Sequence, residues 1–440
     1  MPEPIDRPSP RRKPRQAVTR IAGRDLKPAT LMMGYGFDPS LSEGALKPPI
    51  FLTSTFAFDS AAAGKRHFEA LAGQHGGAVE GLVYSRFNGP NQEILEDRLA
   101  IWDGAEESLV FSSGMSAIAT LLLTYAKAGD VFVHSAPLYA ATEGFIGKVM
   151  SRFGIASVDF PAGAGREMVE AALAEARVRA ARQGGRLALI FLESPANPTN
   201  ALVDIEAVAA ARDAVCGGED APPIAIDNTF LGPLWQHPLS HGADIVVYSL
   251  TKYAGGHSDL VAGGLSGAAA WMGPVRALRN TMGTICDPHT AWMLLRSLET
   301  LEIRMRRATD NAVAVCAALK DHPKVAGLGF LALLEEGEDR AQADIYRRHC
   351  TGPGSTFSLL VHGGEAEAFR FLDALSVAKL AVSLGGTETL ASHPAAMTHL
   401  SVPPERRAKM GISDNLVRIS IGIEDPDDLI ADFEQALAAI

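Results

Sequence analysis

What most constrains this chain is a series of short, almost wholly apolar runs separated by segments with helical spacing. "ESLVFSSG", "DVFVHS", "ASVDF", "RLALIFLES", "PIAIDN" and "DIVVYSL" follow one another between residues 107 and 250. A strand with one wet face alternates apolar and polar residues. These runs do not, so each is expected to be covered on both faces. "NQEILEDRLAIW" precedes the first run with helical spacing, and "MSAIATLLLTYAKAGD" follows it as a helix ended near Gly129. Apolar strands alternating with helices predict an α/β fold, a mostly parallel sheet between helical layers.

After "DPHT" the pattern changes. Asp287 is a candidate cap and Pro288 a first helical residue, opening a helical stretch from about Thr290 to Asp321. "STFSLLV", "LAVSLGG" and "LVRISIGI" then read as strands with few helices between them, and "DPDDLIADFEQALAAI" as a capped amphipathic helix. This predicts a smaller C-terminal α+β domain, as suits a chain of 440 residues.

Charge narrows the function classes. A net charge of −11 argues against a nucleic-acid binder, which usually carries a basic patch or high pI. No apolar run approaches the ~20 residues that span a bilayer. The start, "MPEPIDRPSPRRKPRQAVTR", is basic and proline-rich but lacks an apolar signal-peptide core. It reads as a disordered arm, with packing at an interface as the alternative. Cys216, Cys286, Cys316 and Cys350 show no Cys-x-x-Cys spacing, which fits a reducing cytoplasm and offers neither a disulfide framework nor a zinc site.

In open α/β sheets ligands bind beyond the carboxyl ends of the strands, so the residues there are the candidates. "VFSS" leads through Ser113, Gly114 and Met115 into a helix, whose free N–H groups suit a phosphate; taken alone, the stretch reads first as an ordinary strand-to-helix turn. "ALIFLESPANPT" ends with Glu193, Asn197 and Thr199, also readable as a loop. Asp227 closes an apolar run and needs a partner there, in a site, a cap or a salt bridge. Lys252 ends the next run, beside Ser249, Thr251 and a cluster of small residues.

An anion site, an acid and a lysine at neighbouring strand ends point together to pyridoxal phosphate. That cofactor needs a phosphate cradle, a Schiff-base lysine, and an acid against its pyridine nitrogen. Tyr139 in "APLYAAT" can cover the ring face. A free lysine has a pKa of ~10.4 and is inert as a base at neutral pH. Once displaced from the cofactor by substrate, it is a free amine beside the reacting carbon.

Tyr248 to Lys252 is also Tyr-x-x-x-Lys, the spacing of short-chain dehydrogenases. That chemistry needs one helix face, whereas Tyr248 ends a strand run, and no Gly-x-Gly-x-x-Gly is present. There is no P-loop lysine motif and no His-Glu-x-x-His. His393 and His399 read as satisfied or surface histidines rather than metal ligands.

Seven segments in order, "VYSRFNGPN", "FSSGMSAI", "ESPANPT", "IDNTF", "YSLTKYAGGHSD", "SLGGTETLASHPAAMTH" and "LVRISIGIED", resemble the trans-sulfuration (Cys/Met metabolism) family of fold-type I pyridoxal-phosphate enzymes. The resemblance runs from about residue 45 to the C-terminus. It implies that Lys252 carries the cofactor and Asp227 pairs with the pyridine nitrogen. Ser113, Gly114, Met115, Ser249 and Thr251 would hold the phosphate, and Asn197 would contact the ring oxygen. Tyr139 would stack on the ring and move a proton at the leaving group. Arg418, with Ser383 nearby, would bind the substrate carboxylate; taken alone, Arg418 also reads as an edge salt bridge. Tyr84 and Arg86 would reach the phosphate of a neighbouring subunit, with Tyr84 also near substrate. That makes the site shared within a homo-oligomer, a tetramer by family habit.

The division implied is residues 1–89 as N-terminal arm and inter-subunit segment, 90–300 as the large cofactor-binding domain, and 301–440 as the C-terminal α+β domain. The reaction implied is γ-elimination of L-methionine, homocysteine or cystathionine to 2-oxobutyrate, ammonia and a thiol. The alternative is γ-replacement joining cysteine to an O-acyl-homoserine, which shares every early step. A cofactor-binding regulatory protein is a third reading, against which Lys252, Asp227, Tyr139 and Arg418 all stand. Departures bear on substrate. Methionine γ-lyases carry a cysteine where this chain has Ala141 and Lys-Asp where it has Arg279-Asn280, while Glu388 fits lyases and γ-synthases better than sulfhydrylases. The segment Gly64–Leu82 is longer than the family usually has there.

Overall fold

The six apolar runs all form strands of one seven-stranded sheet. In spatial order the strands are Glu107–Phe111, Gly263–Gly267, Ile245–Ser249, Ile224–Asp227, Leu187–Glu193, Val131–Ala136 and Ala156–Pro161. Only Gly263–Gly267 runs against its neighbours. The computed structural model describes residues 18–71, 81–217, 221–400 and 402–440. The start of the basic arm, up to residue 17, and residues 72–80 of the long segment before Tyr84 lie outside the described residues.

The continuous hydrophobicity of the runs has a direct cause. Along Leu187–Glu193, Ile190 and Leu192 pack into one core, and Leu189 and Phe191 into another on the opposite face. Val246 and Val247 divide in the same way. Each side chain is wholly removed from water, worth about 1.5–3 kcal/mol apiece. Helices Pro90–Asp103, Gly114–Tyr125 and Arg166–Arg182 are among those covering the two faces.

Gly263–Gly267 was not legible as a strand. "GGLSG" has little β propensity, and pairing on both sides imposes the conformation. A Cβ on Gly263 would stand 2.2 Å from the Ser113 carbonyl oxygen. The sheet here passes directly behind the turn that opens the next helix, and only glycine fits.

A second sheet of five strands runs Val325–Gly329, Thr356–Val361, Leu416–Ser420, Leu390–Ser392, Lys379–Leu380. Helices Leu301–Leu319, Glu365–Ala374 and Pro426–Leu437 supply its apolar cover. Two expectations need correction. "LAVSLGG" contributes only its first residue, Leu380, to the strand Lys379–Leu380; the rest is a loop in which Ser383 has φ +139°. Helices also separate the small-sheet strands more often than the pattern suggested, with Arg340–His349 and Glu365–Ala374 both formed. The stretch from Thr290 splits at residues 299–300 into helices Pro288–Leu298 and Leu301–Leu319. Asp287 caps the first, accepting from the N–H groups of His289 and Thr290. Among the described residues no helix is long and apolar enough to cross a membrane, and all four cysteines are unpaired.

Candidate active site

The six co-directional strands bring their carboxyl ends to one edge of the large sheet, where a cavity of about 290 Å³ opens. Its wall takes Ser113, Gly114 and Met115 from the end of the first strand, and Tyr139, Asn197 and Asp227 from later ones. Ser249, Thr251 and Lys252 close the same wall, and Ser383 and Arg418 reach in from the second sheet. Eleven residues singled out from the sequence therefore meet in one place. Tyr84 and Arg86 do not line it. Tyr84 is 41% exposed, and the Arg86 guanidinium lies 4.7 Å from the Phe87 ring centroid and donates to the Asn280 carbonyl.

Each side chain is held by its own local chemistry. Ser113 caps helix Gly114–Tyr125, its hydroxyl accepting from Ser116 N–H at 3.0 Å. The remaining first-turn N–H groups have no intrahelical acceptor. A Cβ on Gly114 would meet the Ser249 side chain at 3.0 Å, so helix and strand end abut through bare backbone. Thr251 differs from expectation in one respect: its hydroxyl exchanges hydrogen bonds with the backbone of Ala262, at 3.0 and 3.2 Å, and so also ties the turn together. Asp227 accepts from the Thr229 N–H at 3.0 Å and hydroxyl at 2.5 Å. Burial raises its pKa, while Thr229 and Lys252 pull the other way.

Lys252 donates from Nζ to the Ser383 hydroxyl at 2.8 Å. Burial first, then the Arg418 charge, bring its pKa down to about 8. Arg418 lies on a central strand of the small sheet, 5% exposed. It donates to the Ser383 carbonyl at 2.6 Å and the Asn197 side-chain oxygen at 3.4 Å, but its Nε has no partner. No ion pair satisfies it among the described residues, which disposes of the edge salt bridge. A buried guanidinium without a counter-ion is costly, and burial lowers its pKa to about 10.

The sequence passed over the importance of Glu193. It sits beside Asp227 in register on the neighbouring strand, lines the cavity, and accepts from the N–H groups of Tyr139 and Asn197. The same signal that marked Asp227, an acid closing an apolar run, was present there too. Thr229 was likewise missed, since nothing local marks it as Asp227's donor.

Other candidates fall away. The Tyr248 hydroxyl donates to buried Asp103 at 2.6 Å and takes no part in the cavity wall, so the Tyr-x-x-x-Lys reading has no geometry. His393 contacts the Asp414 carbonyl at 2.7 Å, and His399, buried near Arg418, has its pKa brought down to about 4. Glu206, His241 and His349 cluster elsewhere, but Arg348 already pairs with both Asp204 and Glu206 there. Arg279 is fully buried against Glu96 at 2.5 Å, and neither it nor Ala141 lines the cavity.

These residues fit pyridoxal phosphate. The helix start offers N–H donors to a phosphate, Lys252 presents an amine, Asp227 a buried carboxylate, and the partnerless Arg418 Nε calls for an anion from outside the chain. Fold and cavity together define a fold-type I pyridoxal-phosphate enzyme. The chain belongs to the Cys/Met metabolism PLP-dependent enzyme family, whose profile matches residues 29–438. It is 36% identical to an L-methionine gamma-lyase of Pseudomonas deceptionensis over 94% of this chain and 97% of that one. An O-succinylhomoserine sulfhydrylase of Pseudomonas aeruginosa is 35% identical, over 90% of this chain and 92% of its own. The solved cystathionine gamma synthase of Xanthomonas oryzae pv. oryzae superposes with a TM-score of 0.82 at 31% identity, covering 94% of this chain and 99% of that one.

Proposed function

We propose that this chain is a carbon–sulfur lyase acting by γ-elimination, taking L-methionine, homocysteine or cystathionine, with one water, to 2-oxobutyrate, ammonia and a thiol (hydrogen sulfide from homocysteine). The observation that carries it is Arg418, a buried, counter-ion-free guanidinium linked through Ser383 to the Lys252 amine. A guanidinium beside the Lys252 amine suits an α-amino acid, whose carboxylate it can pair while the substrate amine takes the place of Lys252 on the cofactor.

Pyridoxal phosphate, when bound, supplies an electron sink for charge developing at the substrate α-carbon. The chain's own residues do the rest. Ser113, Gly114, Met115, Ser249 and Thr251 hold the phosphate. Asp227, fixed by Thr229, keeps a proton on the pyridine nitrogen. Asn197, which the Arg418 guanidinium already contacts, takes the ring oxygen. Arg418 grips the substrate carboxylate, and neutralising Arg418 relieves the repulsion that depresses Lys252. The Lys252 amine thereby becomes a stronger base as substrate arrives. It takes the α-proton, then assists at the β-carbon. Tyr139, 40% exposed at the mouth, stacks on the ring and serves the leaving sulfur with a proton.

In this reading Tyr84 and Arg86 complete the cavity of a second copy, Arg86 at its phosphate and Tyr84 at its substrate. Their exposure and their absence from the chain's own cavity lining support that, and with it a homo-oligomer, a tetramer on the family pattern. Residues 1–89 then serve as arm and inter-subunit segment, 90–300 as the cofactor domain and 301–440 as the substrate-clamping domain. Unpaired cysteines support a cytoplasmic setting.

A second reading, γ-replacement joining cysteine to an O-acyl-homoserine, is favoured by the closeness of fold to a cystathionine γ-synthase. The deciding experiment measures 2-oxobutyrate from cofactor-loaded protein supplied with L-methionine, homocysteine or cystathionine. Release without added thiol acceptor is the expected result. No release, with cystathionine formed from O-acyl-homoserine and cysteine, would install the second reading instead.

A further inference from the structure

Glu193 is the one buried carboxyl of the cavity wall that the reaction as described does not use. It is 4% exposed and closes the strand beside Asp227, the two being register partners. Its two oxygens act on different parts of the site. Oε2 accepts from the Tyr139 N–H at 2.7 Å, and Oε1 from the Asn197 N–H at 3.1 Å. Those residues arrive on different strand-end loops, 54 positions apart in the first case and four in the second. One side chain thus spans the groups assigned to the ring face and the ring oxygen.

We propose that Glu193 is a positioning residue: its carboxyl group bridges the backbones of Tyr139 and Asn197 and, with a cationic ring bound, stands as a second negative charge beside Asp227. This rests on the reading that Asp227 and Tyr139 face a bound pyridoxal ring. Two N–H donors favour the ionised form. Burial and the Asp227 charge oppose it and prevail in the cofactor-free chain, holding the pKa well above the ordinary carboxylate range. Glu143, on the helix following Tyr139, adds a smaller repulsion and is itself paired with Arg406 at 3.2 Å. Lys252 lies on the far side of Asp227 and offsets the charge of the pair. A cation at the ring nitrogen would offset it further, so cofactor binding and Glu193 ionisation reinforce one another. Two stacked carboxylates would hold that ring proton more firmly than Asp227 alone.

The bridge explains why a costly buried acid is tolerated where an apolar residue would fill the space. Both of its hydrogen bonds are made to loops whose residues must stand opposite each other across a ligand.

The test uses the cofactor-loaded enzyme and its Glu193→Gln and Glu193→Asp variants. Four quantities are compared: the Kd for pyridoxal phosphate, the pH at which the bound cofactor's absorbance changes, kcat with KM, and the Tm of the cofactor-free protein. Glu193→Gln removes the charge and mismatches one N–H. The expected result is a Kd raised about tenfold, kcat lowered about tenfold with KM within about threefold, and an absorbance midpoint lowered by roughly one pH unit. The midpoint falls because a nearby anion favours the protonated form, and that anion is gone. Glu193→Asp keeps the charge but is too short to bridge, so kcat should fall while the midpoint stays close to wild type. A Glu193→Gln enzyme with wild-type midpoint and kcat overturns the proposal. So does a lowered Tm of the cofactor-free protein with an unmoved midpoint, the mark of a merely structural residue. Failure of the wild-type chain to bind the cofactor through Lys252 would instead sink the parent reading, and is seen before any Glu193 variant is compared.

Discussion

The two halves of the proposed site are built differently. The strand-end half is finished within one chain. Ser113 is locked into a helix cap, Asp227 into Thr229, and Lys252 and Arg418 onto Ser383. The half carrying Tyr84 and Arg86 is unfinished. Those residues rest on Phe87 and a backbone carbonyl, exposed. The first half is positioned by folding alone, whereas in the proposed homo-oligomer the second would gain its ligand from another copy's cavity. Cofactor chemistry should therefore belong to the fold, and cofactor retention to the assembly.

The largest expected effect is in the first half. Lys252→Ala should lower 2-oxobutyrate release by about a thousandfold or more, since both the attachment point and the base are lost. Near wild-type turnover from that variant would end the lyase assignment altogether. Arg418→Ala should come next. Removing a buried partner of a charged group costs about 2–5 kcal/mol, so kcat/KM should fall by about 10²–10³-fold while the Kd for pyridoxal phosphate changes little. A matching loss of cofactor affinity would mean that Arg418 serves the cofactor rather than the substrate.

Arg86→Ala probes the second half. The expected outcome is a Kd for pyridoxal phosphate about tenfold weaker, the scale of one exposed charged contact to a phosphate, with folding intact. In sedimentation and dialysis run together, cofactor affinity should also weaken as the wild-type oligomer is diluted. Affinity indifferent both to Arg86 and to dilution would break the contrast, leaving the strand-end half sufficient.

The sequence disclosed the two halves unequally as well. Continuous apolar runs forced a sheet covered on both faces, and Lys252 and Asp227 stood out because charge at the end of a buried strand demands a use. The glycine strand Gly263–Gly267 stayed hidden because its reason, close approach to Ser113 some 150 positions earlier, is entirely tertiary. "LAVSLGG" misled for the opposite cause: its apolar residues look like a strand but line a loop that turns Ser383 toward Lys252. Glu193 was visible as a strand-end acid, yet its contact with Tyr139 exists only once the sheet has formed. Arg279, singled out for departing from the family, proved to be a buried pair with Glu96 outside the cavity. The departure reaches the site only through its second half, where the neighbouring Asn280 carbonyl accepts from Arg86.

The smallest predicted effect separates the causes acting on Lys252. A neutral amine is needed to attack the cofactor's aldehyde, so the rate of pyridoxal phosphate uptake by cofactor-free protein should rise with pH and level off above about 8. An ordinary lysine, near 10.4, would keep the rate climbing about tenfold per unit through that range. Stopped-flow absorbance from pH 6.5 to about 10 reads the break directly. Because the amine sits in the half completed by folding, the break should not move with protein concentration. Burial is the leading cause and the Arg418 charge the second. Arg418→Ala should therefore move the break upward by less than about one unit, a change of a few-fold in rate at neutral pH. A break returned all the way to the ordinary lysine value would reverse that order and make Arg418, not burial, the element that arms Lys252.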